Sequence, residues 1–427
     1  MAQPKQVDIA IVGGGMAGAT LALALAPLCK SIAIIEAHPP GVSQPSFDDR
    51  SVALSFGSQK ILQAFDLWSG LADEAASIEH IHVSDRGHLG LCRLHAADEQ
   101  QSALGYVIEN RVIGQALYQR LASFSNIKLI APAELQSLAY CDEQITVTYR
   151  CREQSEQLSA KLLVAADGSN SKVATELGIS RSQVAYPQQA VIANIATEPG
   201  PNGWAFERFT EQGPIALLPL TKQRYSLVWT LAPDSADAVM QLSDAEFCSS
   251  LQQNFGFRAG RIVRVGERHC FPLSRQTLSS SYAKRAVFVG NALHTGHPVA
   301  GQGFNLGLRD IAELVELLAI AAALNVDFGN DALLRFYGER RKDDIHQTLM
   351  ATDALVRLFS TKLAPLALVR NSGLAALSNC SWLRHQLAST AMGLRHDLPA
   401  VARGVPLAEV SRQPKYHQLK ALTSAGM

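Results

Sequence analysis

The sequence predicts an α/β fold that carries an inserted antiparallel β-sheet and ends in a helical region. Three observations support this prediction: a glycine-rich strand–turn–helix segment near the start, later segments in which an apolar strand precedes a helix, and a block of alternating apolar residues between about 185 and 271. The 427 residues exceed what a single core usually covers, so we expect two domains or one large elaborated domain.

Composition and charge exclude several classes of protein. The 38 basic and 38 acidic residues balance, which gives no reason to expect nucleic-acid binding. The 7 cysteines form no C-x-x-C pair, and their odd number suits a reducing compartment better than a disulfide framework. No cysteine or carboxylate has metal-ligand spacing around the histidines between 80 and 95, and the H-x-x-H pair His294 and His297 leads into a Pro-x-x-Gly loop, so we expect no metal site. Without a signal-peptide pattern or an apolar run of about 18 residues, the sequence predicts a cytoplasmic protein, either soluble or peripheral on the inner face of a membrane.

The first element is a strand, a tight turn and a helix. Residues 7–12 form an apolar β-branched run, and Gly13, Gly15 and Gly18 follow at G-x-G-x-x-G spacing before an alanine- and leucine-rich helix over residues 17–28. In this motif the first glycine allows the turn, the second lets a pyrophosphate approach the backbone, and the third lets the helix pack close to the strand. The helix start offers free N–H groups and a positive dipole end to the phosphates.

The second strand, "SIAIIEA", ends in an acidic residue. Glu36 lies roughly 20 positions beyond the glycines, where a carboxylate usually holds a ribose hydroxyl. Strand, helix, second strand and terminal acid together predict a Rossmann-like dinucleotide site for FAD or NAD, rather than for NADP with its 2′-phosphate. The alternative is a glycine-rich turn followed by a surface glutamate.

Two arginines in the first third of the chain are candidates for binding an anionic ligand. Arg50 lies in a polar loop before a helix, where the simple alternative is a surface arginine paired with Asp48 or Asp49. Arg111 lies in the first turn of a predicted helix, where a cation is unfavourable for the helix dipole, and this modestly favours a nearby anionic ligand.

Asp167 and Gly168 follow a buried-type strand over residues 162–166. The carboxyl end of a strand is where doubly wound sheets bind ligands. The alternative is an ordinary turn, because Asp-Gly is a common turn dipeptide.

A second glycine cluster follows the strand predicted at residues 285–290. Its loop leads into a long apolar helix beginning near Phe304, but Gly301, Gly303 and Gly307 do not have G-x-G-x-x-G spacing. The cluster also lacks a second β–α–β unit with a terminal acid. We therefore expect one ligand that contacts both clusters, rather than two nucleotide sites.

Four stretches together resemble a known family: "GGGMAG" with its distant glutamate, "DDRSVALS", "AADGSNS" and "GNALHTGHPVAGQGFNLGLRD". They resemble the FAD-dependent aromatic hydroxylases of the para-hydroxybenzoate hydroxylase type. The stretches "HVSDRGHLG" and "AFERFTEQGPIALLPL" are more narrowly similar to the ubiquinone-biosynthesis hydroxylases, most of all to the UbiH-like 2-octaprenyl-6-methoxyphenol hydroxylases. The resemblance covers nearly the whole chain up to about residue 393.

The resemblance implies a set of FAD-binding residues, which we name by the part of the cofactor they would meet. They are Gly13, Gly15, Ala17, Gly18 and Glu36 for the ADP half, Arg50 and Arg111 beside the flavin and its phosphate, Asp167 and Gly168 for FAD and the passing nicotinamide, Gly290 and Asn291 for the ribityl chain, and Pro298, Gly301, Gly303, Phe304 and Asn305 around the isoalloxazine ring. This sequence departs from the family twice. Asn291 replaces an aspartate, and Ala174 replaces an arginine, which leaves the approach of NAD(P)H open.

The expected domains follow from the same pattern. The FAD-binding domain would comprise residues 1–75, 105–180 and 275–345, and the β-sheet substrate domain residues 76–104 and 181–274; residues 346–400 would form the helical region and 401–427 a tail. Apolar residues of the inserted sheet are candidates for a substrate wall, or alternatively ordinary sheet core: Phe206, Phe209, Leu218 and Pro219.

The resemblance implies an FAD-dependent monooxygenase that uses NAD(P)H and O2 to hydroxylate the ring of a polyprenylphenol in ubiquinone biosynthesis, through a flavin C4a-hydroperoxide. The flavin performs the chemistry, so no catalytic side chain is assigned. The substrate class implies contact with a membrane surface and with other ubiquinone-biosynthesis proteins. Two alternatives stay open: an FAD-dependent reductase or oxidase of another isoprenoid or aromatic substrate, and a non-catalytic FAD-holding subunit of a lipid-biosynthesis complex.

Overall fold

The computed structural model describes residues 5–38, 49–297, 301–360, 364–394 and 398–424. The elements up to residue 180 are, in chain order, β1 (Lys5–Val12), α1 (Met16–Leu25), β2 (Ile32–Ile35), β3 (Ser51–Ser55), α2 (Phe56–Ala64), β4 (Ala76–Ile78), β5 (His80–Asp85), β6 (Leu91–His95), β7 (Gly105–Glu109), α3 (Asn110–Leu121), β8 (Ile127–Ile130), β9 (Ala133–Tyr140), β10 (Ile145–Cys151), β11 (Gln154–Ala165) and α4 (Lys172–Glu176).

The later elements continue in the same order. They are β12 (Arg181–Glu198), β13 (Trp204–Phe209), β14 (Pro214–Leu220), β15 (Arg224–Leu231), α5 (Pro233–Met240), α6 (Asp244–Phe255), β16 (Arg261–Val265), β17 (His269–Leu278), β18 (Tyr282–Ala283), β19 (Ala286–Phe288), β20 (His294–Thr295), α7 (Gln302–Ala323), α8 (Asp331–Ser360), α9 (Ala364–Asn379), α10 (Ser381–Ala391) and α11 (Pro414–Ser424).

The first sheet has eight strands, and its centre consists of the parallel strands β19, β11, β1, β2 and β8. Ile9, Ala10 and Ile11 of β1 are fully buried, because helices α1, α3 and α7 cover one face of the sheet and the β9–β10 hairpin covers the other. Burial on both faces explains why β1 reads as a continuous apolar run. The predicted Rossmann-like α/β fold is confirmed.

The inserted sheet has nine strands in the order β20-β17-β12-β15-β14-β13-β5-β6, with β16 beside β12. Helices α5 and α6 cover its outer face, where Phe247, Leu251 and Phe255 pack against the sheet. On its inner face, Ala205 and Leu218 pack with Val107 of β7. The sheet takes most of its strands from the two segments expected for it, while the boundaries proposed for the domains stay a prediction.

A short three-stranded sheet, β3-β7-β4, packs against β14 of the inserted sheet through β4 and β7, and against α7 through β3. The sequence did not predict strand β3, which lies between Arg50 and helix α2, because its five residues lead directly into the helix. The side chain of Ser55 accepts a hydrogen bond from Ser58 N and so caps α2. The first predicted helix also ends earlier than expected, at Leu25 instead of near Leu28.

The C-terminal helices pack against both large sheets. Helix α8 lies along α7, and α9 lies on β6 at the edge of the inserted sheet. Within the described ranges of the chain, no helix combines the length and the apolar character needed to cross a membrane.

Candidate FAD and substrate site

The turn after β1 leaves no room for side chains at two of its glycines. Gly13 has a φ of +100°, which favours glycine, and a Cβ there would lie 2.3 Å from the carbonyl oxygen of Ala166. A Cβ on Gly18 would lie 1.9 Å from the carbonyl oxygen of Gly13. Helix α1 therefore approaches the turn closely only because position 18 is glycine.

Gly15 is different, because no described atom lies within 4 Å of the place that its Cβ would take. It is the N-cap of α1, and in this described segment the helix start has neither a side-chain cap nor an acidic residue. The first-turn N–H groups and the positive end of the helix dipole therefore face open space. A phosphate is the kind of ligand that such a helix start binds.

Glu36 lies directly after β2 and faces this turn. Its Oε2 accepts a hydrogen bond from Gly14 N, and its Oε1 accepts one from His38 N at 2.7 Å. Tyr118 of α3 donates to the carbonyl oxygen of Gly14 at 2.7 Å, a contact that sequence reasoning missed. Burial and the charge of Glu36 raise the pKa of Tyr118 to about 12, so the phenol stays a donor.

The two glycine clusters meet in space. Gly290, directly after β19, has a φ of +58°, and a Cβ there would lie 3.4 Å from the Cβ of Ala17 in α1. A Cβ on Gly307 of α7 would lie 3.2 Å from the Cα of Gly290. The start of α1, the loop after β19 and the first turns of α7 thus line one site, as expected for a single ligand that contacts both clusters.

A buried set of charges fixes the loop at Gly290 from behind. Asp310 of α7 is fully buried; its Oδ2 accepts hydrogen bonds from Gly290 N at 2.9 Å and shares one with His294 Nε2 at 2.7 Å. Arg341 of α8 donates to Oδ1 of Asp310 at 2.7 Å and to Asp344 at 2.7 Å. Burial alone would raise the pKa of Asp310, but His294 and Arg341 outweigh it and lower that pKa.

Sequence reasoning did not single out Asp310 or Arg341. The available signal was an aspartate inside a mostly apolar helix, because a buried charge at such a position needs a partner. The partner Arg341 lies on a different helix, so the sequence alone could not identify it.

Helix α7 begins at an open surface. Its N-cap, Gly301, is left-handed with a φ of +60°, and a Cβ there would lie 3.0 Å from the Cβ of Ala53 in β3. The described first turn of α7 contains no acidic residue and no side-chain cap, and no described atom lies near the Cβ position of Gly303. Gly303 is exposed and Phe304 half-buried, so the N–H groups at this helix start can stabilise negative charge on a planar ring.

Asn305 has a structural function at this place. Its Nδ2 donates to the carbonyl oxygens of Ala53 at 2.9 Å and Gly301 at 2.7 Å, and its Oδ1 accepts from Ser55 N at 2.8 Å. The side-chain amide is 1% exposed and is occupied by these three contacts. It therefore ties the start of α7 to β3 and fixes the surface on which a flavin ring would lie.

Replacing Asn305 by alanine should lower the free energy of unfolding by about 3 kcal/mol, because three buried backbone groups lose their partner. Chemical unfolding of the cofactor-free protein measures this. The control is Asn379→Ala, which removes an exposed side chain that bonds only to Ala375 O of its own helix; its effect should stay within about 0.5 kcal/mol. Equal effects of both changes would contradict the structural role of Asn305.

The two candidate arginines have different environments. Arg111 donates to Asp49 at 2.9 Å and Glu109 at 3.2 Å, and the hydrogen bond with Asp49 is the main cause that raises its pKa. The acidic partners therefore explain why a cation is tolerated in the first turn of α3. Arg50 is exposed, and its guanidinium has no partner among the described residues, because Asp49 pairs with Arg111 instead. Arg50 is thus the cation available to an anionic ligand.

Asp167 lies two residues beyond the end of strand β11, and one of its two carboxylate oxygens has no partner among the described residues. Its Oδ2 accepts hydrogen bonds from Lys172 N at 2.8 Å and Val173 N at 3.1 Å and so caps α4. Its Oδ1 is buried and has no partner within the described structure, and burial raises the pKa of this carboxyl. A ligand hydroxyl would satisfy this oxygen. Gly168 beside it has a φ of +81° and open space at its Cβ position.

The two departures from the family pattern have structural explanations. Asn291 is exposed and its amide makes no hydrogen bond to the described residues, so it can still meet a ribityl hydroxyl. Ala174 is 1% exposed and lies in the core below the first sheet, where a small residue fits. Pro298, predicted beside the flavin ring, lies outside the described residues.

The candidate substrate wall divides between the two faces of the inserted sheet. Phe206 packs against Phe255 of α6 with ring centroids 5.6 Å apart, so the sheet-core alternative applies to it. The alternation of side chains along β14 places Pro219 on this same outer face. Leu218 and Phe209 point to the inner face, where Leu218 is half-buried near the small sheet and Phe209 packs in a separate cluster.

These features fit FAD. A dinucleotide needs an open helix start for its pyrophosphate, an acid for its ribose, a partner for its ribityl hydroxyls and a flat surface for its ring. The site lined by both glycine clusters offers the α1 start at Gly15, Glu36, Oδ1 of Asp167 and the α7 start at Gly303. Together with the inserted sheet, this arrangement defines an FAD-dependent oxidoreductase.

Comparisons with known proteins agree with this class. Residues 6–352 match the family model described as FAD binding domain. The solved structure of p-nitrophenol 4-monooxygenase PnpA from Pseudomonas putida superimposes with a TM-score of 0.76 at 17% identity, over 91% of this chain and 98% of that one. PqsL, a probable FAD-dependent monooxygenase from Pseudomonas aeruginosa, gives a TM-score of 0.71 at 18% identity, over 87% and 99%. At these identities the likeness shows the fold.

Curated relatives narrow the class. The chain is 37% identical to the ubiquinone hydroxylase UbiL of Rhodospirillum rubrum over 94% of both proteins. It is 32% identical to the 3-demethoxyubiquinol 3-hydroxylase of Escherichia coli, over 91% of this chain and 99% of the relative. The chain belongs to the family of FAD-dependent ubiquinone-biosynthesis hydroxylases. The predicted family and the predicted cofactor FAD are confirmed.

Proposed function

We propose that this protein hydroxylates the aromatic ring of a polyprenylphenol intermediate of ubiquinone biosynthesis, with NAD(P)H and O2 as co-substrates. The observation that carries the proposal is the meeting of both glycine clusters in one site, with the exposed start of α7 beside the small sheet on which the inner face of the inserted sheet packs. Family membership supports the ring hydroxylation, and it does not favour the reductase, oxidase or non-catalytic alternatives.

The residues of this chain hold the cofactor in place, stabilise its negative charge and exclude water from the site. Bound FAD supplies the redox chemistry by accepting reducing equivalents and activating O2. The N–H groups at the start of α7 stabilise negative charge at the ring edge, while Asn305 holds that helix start against β3. Apolar residues such as Leu218 on the inner face exclude water from the reacting ring. Arg50, whose guanidinium has no partner among the described residues, offers its charge to an anionic group of a cofactor.

The test is a mass-spectrometric profile of lipid quinones in a strain that lacks this gene. We expect a polyprenylphenol without one ring oxygen to accumulate, and its structure identifies the ring carbon that is hydroxylated. Restoring the gene should remove the intermediate. An unchanged quinone pool in the deletion strain would overturn the proposal.

A purified assay tests the finer parts of the same proposal. The FAD-loaded enzyme receives a polyprenylphenol in phospholipid vesicles, with NADH or NADPH. We expect O2 consumption and one hydroxylated product for each NADH or NADPH that is oxidised. The nicotinamide that gives the higher rate of hydroxylation is the co-substrate. Reduction of a prenyl double bond without O2 uptake would instead indicate a reductase.

A further inference from the structure

One acidic residue of the inserted sheet has a carboxylate oxygen without a hydrogen-bond partner among the described residues. Glu207 lies in the middle of β13; it is half-buried as a residue, but its Oε1 is inaccessible to solvent and makes no hydrogen bond within the described structure. Burial raises the pKa of this carboxyl to about 7. The neighbouring Arg208 points to the opposite face, where its Nε donates to Asn254 O of α6 at 3.2 Å. A buried carboxyl without a partner costs stability, so its presence calls for a ligand.

Glu207 belongs to a row of residues that crosses the sheet. The strand registers place Ile192 opposite Val228, Val228 opposite Ala216, Ala216 opposite Glu207, and Glu207 opposite Val83. Every residue of this row is half-buried, although it lies in the interior of a nine-stranded sheet. Incomplete cover at the centre of a sheet indicates a space in front of it. The side chains of this row are apolar except for the carboxyl group of Glu207.

The two sides of the row show where this space lies. Ala205, on the same face of β13, packs in one cluster with Ala53 of β3, and Ala53 in turn meets the start of α7 at Gly301. Phe209, also on this face, packs in a different cluster with Phe56 at the start of α2. Glu207 lies between these clusters and faces the side of the molecule that carries the flavin surface.

We propose that Glu207 accepts a hydrogen bond from the ring hydroxyl of the phenolic substrate and thereby sets which ring carbon faces the cofactor, an inference that rests on the proposed function. A phenol has one strong donor, and the described residues leave Glu207 as the unpaired acceptor in the apolar row. A carboxyl oxygen accepts such a hydrogen bond in either protonation state, and leaving that buried oxygen without a partner costs free energy. The four apolar members of the row would contact the ring and its substituents.

The test compares a phenol with its methyl ether, which cannot donate. The probes are 2-farnesylphenol and 2-farnesylanisole, and calorimetry measures their binding to the FAD-loaded enzyme. Wild type should bind the phenol at least about tenfold more tightly than the ether. In Glu207→Leu this difference should vanish, while the affinity for the ether stays unchanged. Glu207→Gln should retain part of the difference, because its amide oxygen still accepts a hydrogen bond.

Unfolding separates this role from a structural one. Because Glu207→Leu removes an unpartnered buried carboxyl, we expect the thermal midpoint to rise by about 2 °C with unchanged FAD content. The control Glu153→Gln, at an exposed turn residue, should change neither binding nor the midpoint. A lower midpoint with equal loss of both ligands would overturn the inference. Equal binding of phenol and ether by wild type would also overturn it, whereas wild type that binds neither probe contradicts the proposed function itself.

Discussion

Gly15→Val should abolish FAD binding and leave the fold intact. The position has an ordinary extended backbone, with φ −63° and ψ −174°, and no described atom lies within 4 Å of its Cβ position. A valine side chain therefore causes no steric clash with the described residues of the cofactor-free protein. The same space is where a pyrophosphate would approach the start of α1. We expect FAD affinity to fall at least about 100-fold, which corresponds to about 2.7 kcal/mol.

Two further glycine variants separate loss of ligand space from loss of packing space. Gly18→Ala places a Cβ 1.9 Å from the carbonyl oxygen of Gly13, so it should lower both stability and FAD content. Gly114→Ala, on α3 with open space around it, should affect neither FAD binding nor folding adversely. Flavin absorbance after gel filtration gives the cofactor content, and circular dichroism gives the fold. If Gly15→Val keeps stoichiometric FAD, the phosphates do not lie at this turn.

Asp310→Asn should be the most destabilising of the proposed changes, by about 3–5 kcal/mol. The amide has one acceptor oxygen and cannot serve Gly290 N, His294 and Arg341 together, so Arg341 keeps a buried charge with fewer partners. The loop at Gly290 also loses its anchor, and we expect weaker FAD binding as a second effect. Chemical unfolding and flavin content measure the two effects.

The control for Asp310 is an exposed ion pair. Asp331→Asn weakens a pair with Arg335 whose side chains are 66% and 61% exposed, and such pairs contribute at most about 1 kcal/mol. If both variants lose the same stability, the buried charges do not hold the loop.

The pH dependence of the Asp310 effect has a defined sign. The pKa of Asp310 is lowered in the folded protein from its ordinary value of 3.8. Its contribution to stability is therefore fully present above that ordinary value and disappears as the pH falls through the folded pKa. The difference in unfolding free energy between wild type and Asp310→Asn should stay constant from about pH 8 to 5 and shrink below about pH 4. A difference that grows with acidity would contradict the ionised state of Asp310.

The candidate cofactor site could be predicted from the sequence, because its residues meet local requirements of the backbone. The spacing of Gly13, Gly15 and Gly18, the acid after β2 and the Asp-Gly turn each depend on a few consecutive residues. The structure shows those requirements directly, as the positive φ of Gly13 and the close approach at Gly18. The absence of a second G-x-G-x-x-G spacing also predicted that the second cluster lines the same site.

The sheet surface could not be assigned in the same way. Phe206 and Phe209 are both apolar and both buried, so the alternation of β13 does not reveal which face meets the substrate. Only the packing of Phe206 on α6 decides it, and this places Glu207 on the inner face. A strand covered on both faces loses the pattern by which polarity would identify its sides.

The sequence by itself determined the α/β fold, the glycine-rich turn after β1 and the family, because these depend on local spacing and backbone conformation. The tertiary structure decided the partners of the charged and amide groups. Asp310 meets Arg341 from another helix, Asn305 bonds to β3, and Arg50 has no partner among the described residues because Asp49 binds Arg111. Such pairings join residues far apart in the chain, and a buried charge or amide specifies that a partner is needed without specifying which one.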